Sequence, residues 1–282
     1  MSKLTVTNHQ RNVTGLTYVY PVISRRAGGL SIGINFNTNN ACNWRCIYCQ
    51  VPDLKLGSAP EIDLTLLEKE LRLFLDDVLN GDFYQRMEVP ENQRVIKDIA
   101  IAGNGEPTSL TNFDVAVELI GNIATERGIF PKSHFVLITN GSLIYREVVQ
   151  AGLKKLHDFG GCCWFKFDSA TQAGRNLINN SKQTNESVLK NLTLASQLCE
   201  TKIQIALMDY QNQGLLESER IGFLEFLTQV REVTNIQNVT IYTLARPSNQ
   251  PEAIDLKAMP FELMENFAEQ IHTLGFEVIV TK

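Results

Sequence analysis

The sequence predicts an α/β fold, a partial (β/α)6 TIM-like barrel with an extended N-terminal lead-in and a C-terminal helix–strand extension. Three observations lead there. Short apolar runs of strand length alternate with amphipathic runs of helix length from about residue 31 to the end, the pattern of repeated βα units around a parallel sheet. The 282 residues suffice for one large unit and no linker-like stretch divides them, so a single domain over 1–282 is expected, with its core at about 30–250. Finally, the polar motifs fall where strands end, at the face on which such folds assemble their sites.

Taken in order, the strands expected are Ser31–Phe36, Asp98–Gly103, His134–Thr139, Cys162–Asp168, Lys202–Met208 and Val239–Leu244, with a last strand at Phe276–Val280. Residues 1–30 read as extended chain containing a turn at Arg25-Arg26-Ala27-Gly28-Gly29. Leu64, Leu67, Leu71, Phe74, Leu75 and Val78 recur at three- and four-residue spacing behind Asp63, which suits an N-cap. Thr111 and Asp114 suggest a capping box opening the helix Asn112–Arg127, which stops at Gly128. Further helices are expected over Ser142–Asp158, Asn185–Cys199 and Glu217–Val233, and over Phe261–Leu274 with Pro260 at its first position. The polar stretches Gly81–Arg94 and Arg246–Lys257 read as surface insertions.

Composition narrows the function classes. A formal net charge of −5 speaks against a partner gripped mainly through phosphates, which needs a basic face. No stretch approaches the roughly 18 unbroken apolar residues a membrane helix needs, and the polar start lacks a secretion signal, so a cytoplasmic protein is expected. In that reducing setting the six cysteines are not read as a disulfide framework. The four histidines show no ligand spacing.

Cys42, Cys46 and Cys49 lie on one loop directly after the first strand of the repeat. Three thiolates so placed can wrap one inorganic centre: zinc, Cu(I) or an iron–sulfur cluster. A structural zinc site wants four ligands, and no fourth Cys or His stands within zinc-finger spacing. Three thiolates on four irons leave one iron open to a ligand. Cys162, Cys163 and Cys199 are too few and too scattered for a second cluster and are expected as small hydrophobes.

Other motifs fall at the same end. Gly103-Asn104-Gly105-Glu106-Pro107-Thr108 closes the second strand, Thr139-Asn140-Gly141 the third, Asp168-Ser169 the fourth, and Arg246 follows the sixth. Side chains two apart share a strand face, so if Asp168 points inward then Lys166, Trp164 and Cys162 do too, while Phe167, Phe165 and Cys163 face the helices. An inward Lys166 could act on substrate, bind its carboxylate or phosphate, or pair with Asp168 or Glu106. Turn capping would equally account for Asn140, a surface ion pair for Arg246, and a turn with solvated arginines for Arg25 and Arg26.

The spacing C-x3-C-x-Tyr48-C and the G-x-G-E-P-T element resemble the signatures of the radical S-adenosylmethionine superfamily. With Tyr18–Arg26, Ser31–Ile34, Ile138–Gly141 and Thr240–Pro247, they look like the group related to the wyosine-forming tRNA enzymes, but lack that group's second-cluster cysteines. The resemblance implies one 4Fe–4S cluster on Cys42, Cys46 and Cys49, with S-adenosylmethionine chelated at the open iron. It further implies that Tyr48, Gly103, Gly105 and Glu106 line the cosubstrate, Glu106 taking the methionine amino group, while Asn140, Asp168 and Arg246 serve its ribose and carboxylate. By the same resemblance, a reduced flavodoxin or ferredoxin supplies an electron. Cleavage then yields methionine and a 5′-deoxyadenosyl radical that abstracts hydrogen from a small-molecule, nucleotide or peptide substrate. Two alternatives are a tRNA base-modifying enzyme and a zinc-binding or electron-transfer module without catalysis.

Overall fold

A computed structural model describes Leu4, residues 14–24 and residues 28–281. Eight strands form one sheet in sequence order: β1 (Val19–Ser24), β2 (Gly29–Ile34), β3 (Ile96–Ile101), β4 (His134–Thr139), β5 (Cys162–Lys166), β6 (Glu200–Ala206), β7 (Asn238–Tyr242) and β8 (Glu277–Thr281). Pairing is parallel from β2 to β8, and β1 alone runs antiparallel, with Val19 opposite Ile34. The sheet is therefore an open barrel wall whose edges are β1 and β8.

Helices α1 (Leu64–Asn80), α2 (Phe113–Glu126), α3 (Glu147–Asp158), α4 (Gln172–Asn179), α5 (Asn185–Leu198), α6 (Glu217–Val233) and α7 (Phe261–Thr273) fill the crossovers. Strand parity explains where the core sits. Ile99 and Ile101, Phe135 and Leu137, Cys163 and Phe165, Ile203 and Ile205, and Val239 and Ile241 all enter one apolar cluster with the helices. The alternate positions, among them Asp98, Ala100, Ile138, Trp164 and Lys166, are left for the concave face, where they line cavities. The expected division of the Cys162–Asp168 strand is thus observed. Cys162, Cys163 and Cys199 are buried and unbridged.

Several expectations need correction. The lead-in is not merely extended chain, because residues 19–24 add an edge strand to the sheet, and the closing helix–strand unit is a seventh parallel strand of the same sheet. Asp63 does cap α1, accepting from Leu66 N at 3.0 Å, a contact worth about 1 kcal/mol. No capping box forms at α2, whose cap residue Asn112 makes no side-chain cap bond, while Asp114 reaches across to Lys155 at 3.5 Å. Ser142–Arg146 is not helical, because Ser142 is drawn into the turn at Asn140. Pro260 is the N-cap of α7 and not its first residue. The stretch 81–94 is only partly surface, since Phe83 is buried edge-on to Phe74, with ring centroids 5.2 Å apart. Arg25 and Arg26 lie outside the described residues. Among the described residues no helix is long and apolar enough to cross a membrane.

Candidate functional site

The cysteine loop leaves β2 through Asn35 and Asn37, both buried. Asn35 Oδ1 accepts from the backbone of Asn37 at 3.1 Å and of Asn104 at 2.9 Å, and Asn37 Nδ2 donates to Ala41 O at 2.9 Å. Two adjacent strand ends are thereby stitched loop to loop. A Cβ on Gly105 would lie 2.0 Å from Ala41 O, and one on Gly103 would lie 2.1 Å from Asn35 Oδ1. The resemblance implies that these glycines line the cosubstrate; they also let the glycine-rich turn lie flat against the cysteine loop. Gly105→Ala is accordingly expected to push Ala41–Cys42 aside, costing about 1–3 kcal/mol of stability by overpacking and lowering iron retention. Thermal unfolding and iron analysis of the purified variant check this, and full iron loading would show that the contact does not shape the loop.

One cavity of about 200 Å³ is lined by Cys42, Cys46 and Cys49 together with Tyr48, Gly103, Gly105, Glu106, Asn140 and Lys166. The expected metal ligands and most of the expected cofactor residues thus share one space. Arg246 lies instead in an adjoining cavity of about 190 Å³, with Asp98 and Trp164, and both cavities touch Ala102 and Ile138. Asp168 is wholly buried and reaches the first cavity only through its neighbours. Its carboxylate accepts from Tyr48 Oη, from Asn179 Nδ2 at 3.0 Å and from Ala206 N at 3.2 Å, and it pairs with Lys166 Nζ at 3.4 Å.

Lys166 Nζ also lies 2.6 Å from Tyr242 Oη and 5.1 Å from the centre of the Tyr48 ring. Burial works against its charge, yet Asp168 and Tyr242 carry its pKa upward, so it stays an ammonium. The pairing with Asp168, one of the roles open to it, is the one seen. Among the described residues Glu106 has no such cation. Its Oε1 accepts from Thr108 N (3.1 Å), Thr108 Oγ1 (2.5 Å) and Thr139 Oγ1 (2.6 Å), and its Oε2 from Asn140 N (2.7 Å). Burial raises its pKa, and those donors only moderate the rise. Asn140 is part of a turn, its Oδ1 accepting from Ser142 N at 3.0 Å, but its Nδ2 also donates to Asn43 Oδ1 at 2.9 Å and so fastens β4 to the cysteine loop.

Burial pushes the Cys42 and Cys46 thiols up to about 12. Burial outweighs the Lys166 ammonium at Cys46, so both thiols remain protonated until a metal displaces the proton. Among the described residues no three Cys, His, Asp or Glu side chains are placed to hold one metal ion between them. The donor set, three soft sulfurs facing one cavity, fits an iron–sulfur cluster.

Sequence reasoning missed the clamp on this loop. Ser248 Oγ lies 2.7 Å from Ile47 O and 3.0 Å from Cys49 O, Asn249 N donates to Cys49 O at 2.9 Å, and Glu252 takes Arg45 in a two-pronged ion pair at 2.7 and 2.9 Å. The supposed surface insertion after β7 is therefore a strap across the cysteines. From the other side Asn179, at the end of α4, donates to Cys46 Sγ at 3.2 Å.

A family model described as the Radical SAM superfamily matches residues 36–218, a span that begins just after β2 and holds the cysteine loop, Glu106, Asn140 and Asp168. A protein of Brachyspira hyodysenteriae named GTPase Obg is 31% identical over 133 residues, which is 47% of this chain and 17% of that protein. A UPF0026 protein of Helicobacter pylori is 26% identical over 234 residues, 81% of this chain and 66% of its own length. The matches thus span less than two thirds of either relative. Among solved structures, TYW1 with a lysine-pyruvate adduct bound superposes with a TM-score of 0.58 at 16% identity, covering 86% of this chain and 73% of that one, a likeness of fold.

Proposed function

This chain belongs to the radical S-adenosylmethionine superfamily and is an enzyme, and we propose that it cleaves S-adenosylmethionine reductively to remove hydrogen from a small substrate. The observation that carries the reading is the single cavity in which Cys42, Cys46 and Cys49 face Glu106, a buried carboxylate whose hydrogen-bond partners are all neutral. A 4Fe–4S cluster on those sulfurs, when bound, supplies one-electron chemistry to the cosubstrate's sulfonium, with a reduced flavodoxin or ferredoxin as the electron source. The chain's own residues do the rest. Glu106 offers its charge to the methionine ammonium, Gly103 and Gly105 give the wall its flatness, and Asn140 fixes the loop beside them. Asp168 holds Tyr48, Asn179 and Lys166 in place from behind, a supporting part in place of direct ligand contact.

The adjoining cavity of about 190 Å³, with Tyr20 and Trp164 as its aromatic walls and Asp98 and Arg246 as its charged groups, is the seat we assign to substrate. It is smaller than the ~300–1,000 Å³ typical of drug-sized ligands, which favours a small metabolite, one nucleotide or one residue of a peptide. We read residues 1–282 as one unit working in the cytoplasm.

The test is anaerobic reconstitution followed by incubation with dithionite, S-adenosylmethionine and deuterated metabolite pools. About four irons per chain and deuterium recovered in 5′-deoxyadenosine are the expected results. A colourless protein with stoichiometric zinc and no 5′-deoxyadenosine would sink the proposal. Transfer tRNA is included as a competitor: binding that weakens steeply with added salt would move the substrate to nucleic acid, a result the net charge of −5 argues against.

A further inference from the structure

Asn179 is the last residue of α4 and is 1% exposed. The chain turns there, with Asn180 left-handed at φ 51°. Its backbone takes the Arg45 N–H at 3.2 Å, and the preceding Ile178 O takes that of Ile47 at 2.8 Å, so both neighbours of Cys46 are pinned to the end of α4. Its side-chain nitrogen then stands 3.2 Å from Cys46 Sγ and 3.0 Å from Asp168 Oδ2. A primary amide carries two N–H donors, one for each of these acceptors, and turning it over would set its oxygen against a sulfur and a carboxylate. Asp168, itself held by Ala206 N and Lys166, therefore dictates which end of the amide faces the sulfur.

We infer that Asn179 is a positioning residue that raises the reduction potential of the cluster through its N–H···S bond to Cys46. The inference rests on the reading of Cys46 as a cluster ligand. An electron added to an iron–sulfur cluster increases the negative charge on its thiolates, and a donor aimed at one of them stabilises the reduced state more than the oxidised one. The backbone N–H of Trp44, 3.4 Å from Cys42 Sγ, acts in the same sense but cannot be removed by substitution. Asn43 turns its amide nitrogen to Ser142 Oγ at 2.7 Å and takes no such part.

The full chain, reconstituted anaerobically, is titrated with a graded reductant while the reduced cluster is followed by electron paramagnetic resonance, which reads only loaded protein. Asn179→Leu, close in shape but without a donor, is expected to move the midpoint to more negative potential with iron per chain unchanged. An unmoved midpoint at full loading would overturn the inference. Should the variant fail to fold or load, wild-type protein carrying nitrogen-15 at asparagine side-chain amides decides the matter. Pulsed resonance is expected to show one such nitrogen coupled to the cluster, and its absence would likewise overturn the inference. A wild-type protein with no reducible four-iron signal would instead remove the functional reading on which it rests.

Discussion

Cys46→Ala is expected to yield a folded protein that holds no four-iron cluster and cleaves S-adenosylmethionine no faster than buffer with dithionite. Losing one of three thiolates leaves two protein ligands for four irons, too few to retain a cluster against chelators. The fold survives because the loop does not depend on that sulfur. Ile47 N stays bonded to Ile178 O, Ser248 still spans the carbonyls of Ile47 and Cys49, and Arg45 keeps Glu252. The cost of the lost packing and the Asn179 contact should be about 1 kcal/mol, a shift in melting temperature of roughly 2–4 °C for a chain of this size. Iron and sulfide analysis, the visible spectrum and a thermal melt check all three statements. Iron content equal to wild type would remove Cys46 from the ligand set. A collapsed melt would show that the thiol is structural.

What the sequence made legible follows from the kind of signal each feature leaves. Three cysteines in eight residues and the Gly103–Thr108 element are local, so they could be read without knowing the fold. Strand parity at Cys162–Asp168 was readable because a period of two assigns faces outright, and the burial of Cys163, Phe165 and Phe167 in the helix-side core agrees. Helix α4 escaped because its buried positions are Arg175 and Asn179, polar residues that no search for apolar periodicity picks out. Arg175 is paid for by backbone carbonyls, at 2.8 Å from Gln183 O and 3.2 Å from Ser169 O. The strap at 246–252 escaped for another reason. Its polar, proline-bearing composition is what a solvated loop also shows, and its partners lie about 200 residues earlier in the chain. The edge strand at 19–24 read only as extended chain, because its anchors are distant in sequence: buried Glu70 on α1 accepts from Thr17 N and Tyr18 N, just ahead of it, at 2.8 Å each.

Glu106→Gln should separate cosubstrate binding from cluster assembly. The carboxylate now accepts on both oxygens, three donors converging on Oε1 and the Asn140 N–H on Oε2. Glutamine can keep its oxygen toward the three, but its NH2 then meets the Asn140 N–H head on. The reverse orientation is worse, since Thr108 N cannot turn away as the hydroxyls can. Either way a buried donor loses its acceptor, costing about 1–3 kcal/mol of stability and loosening the turn after β4. The larger effect falls on binding. A charge-assisted hydrogen bond to an ammonium is worth about 1.5–3 kcal/mol, so affinity for S-adenosylmethionine should fall by roughly 10- to 150-fold. Iron per chain should stay near wild type, because no sulfur ligand is touched and the neutral side chain removes a negative charge beside Cys42. Calorimetric titration of the loaded variant with S-adenosylmethionine measures the loss. Unchanged affinity with intact iron would mean that the ammonium binds elsewhere, and that Glu106 serves only to tie the ends of β3 and β4 together.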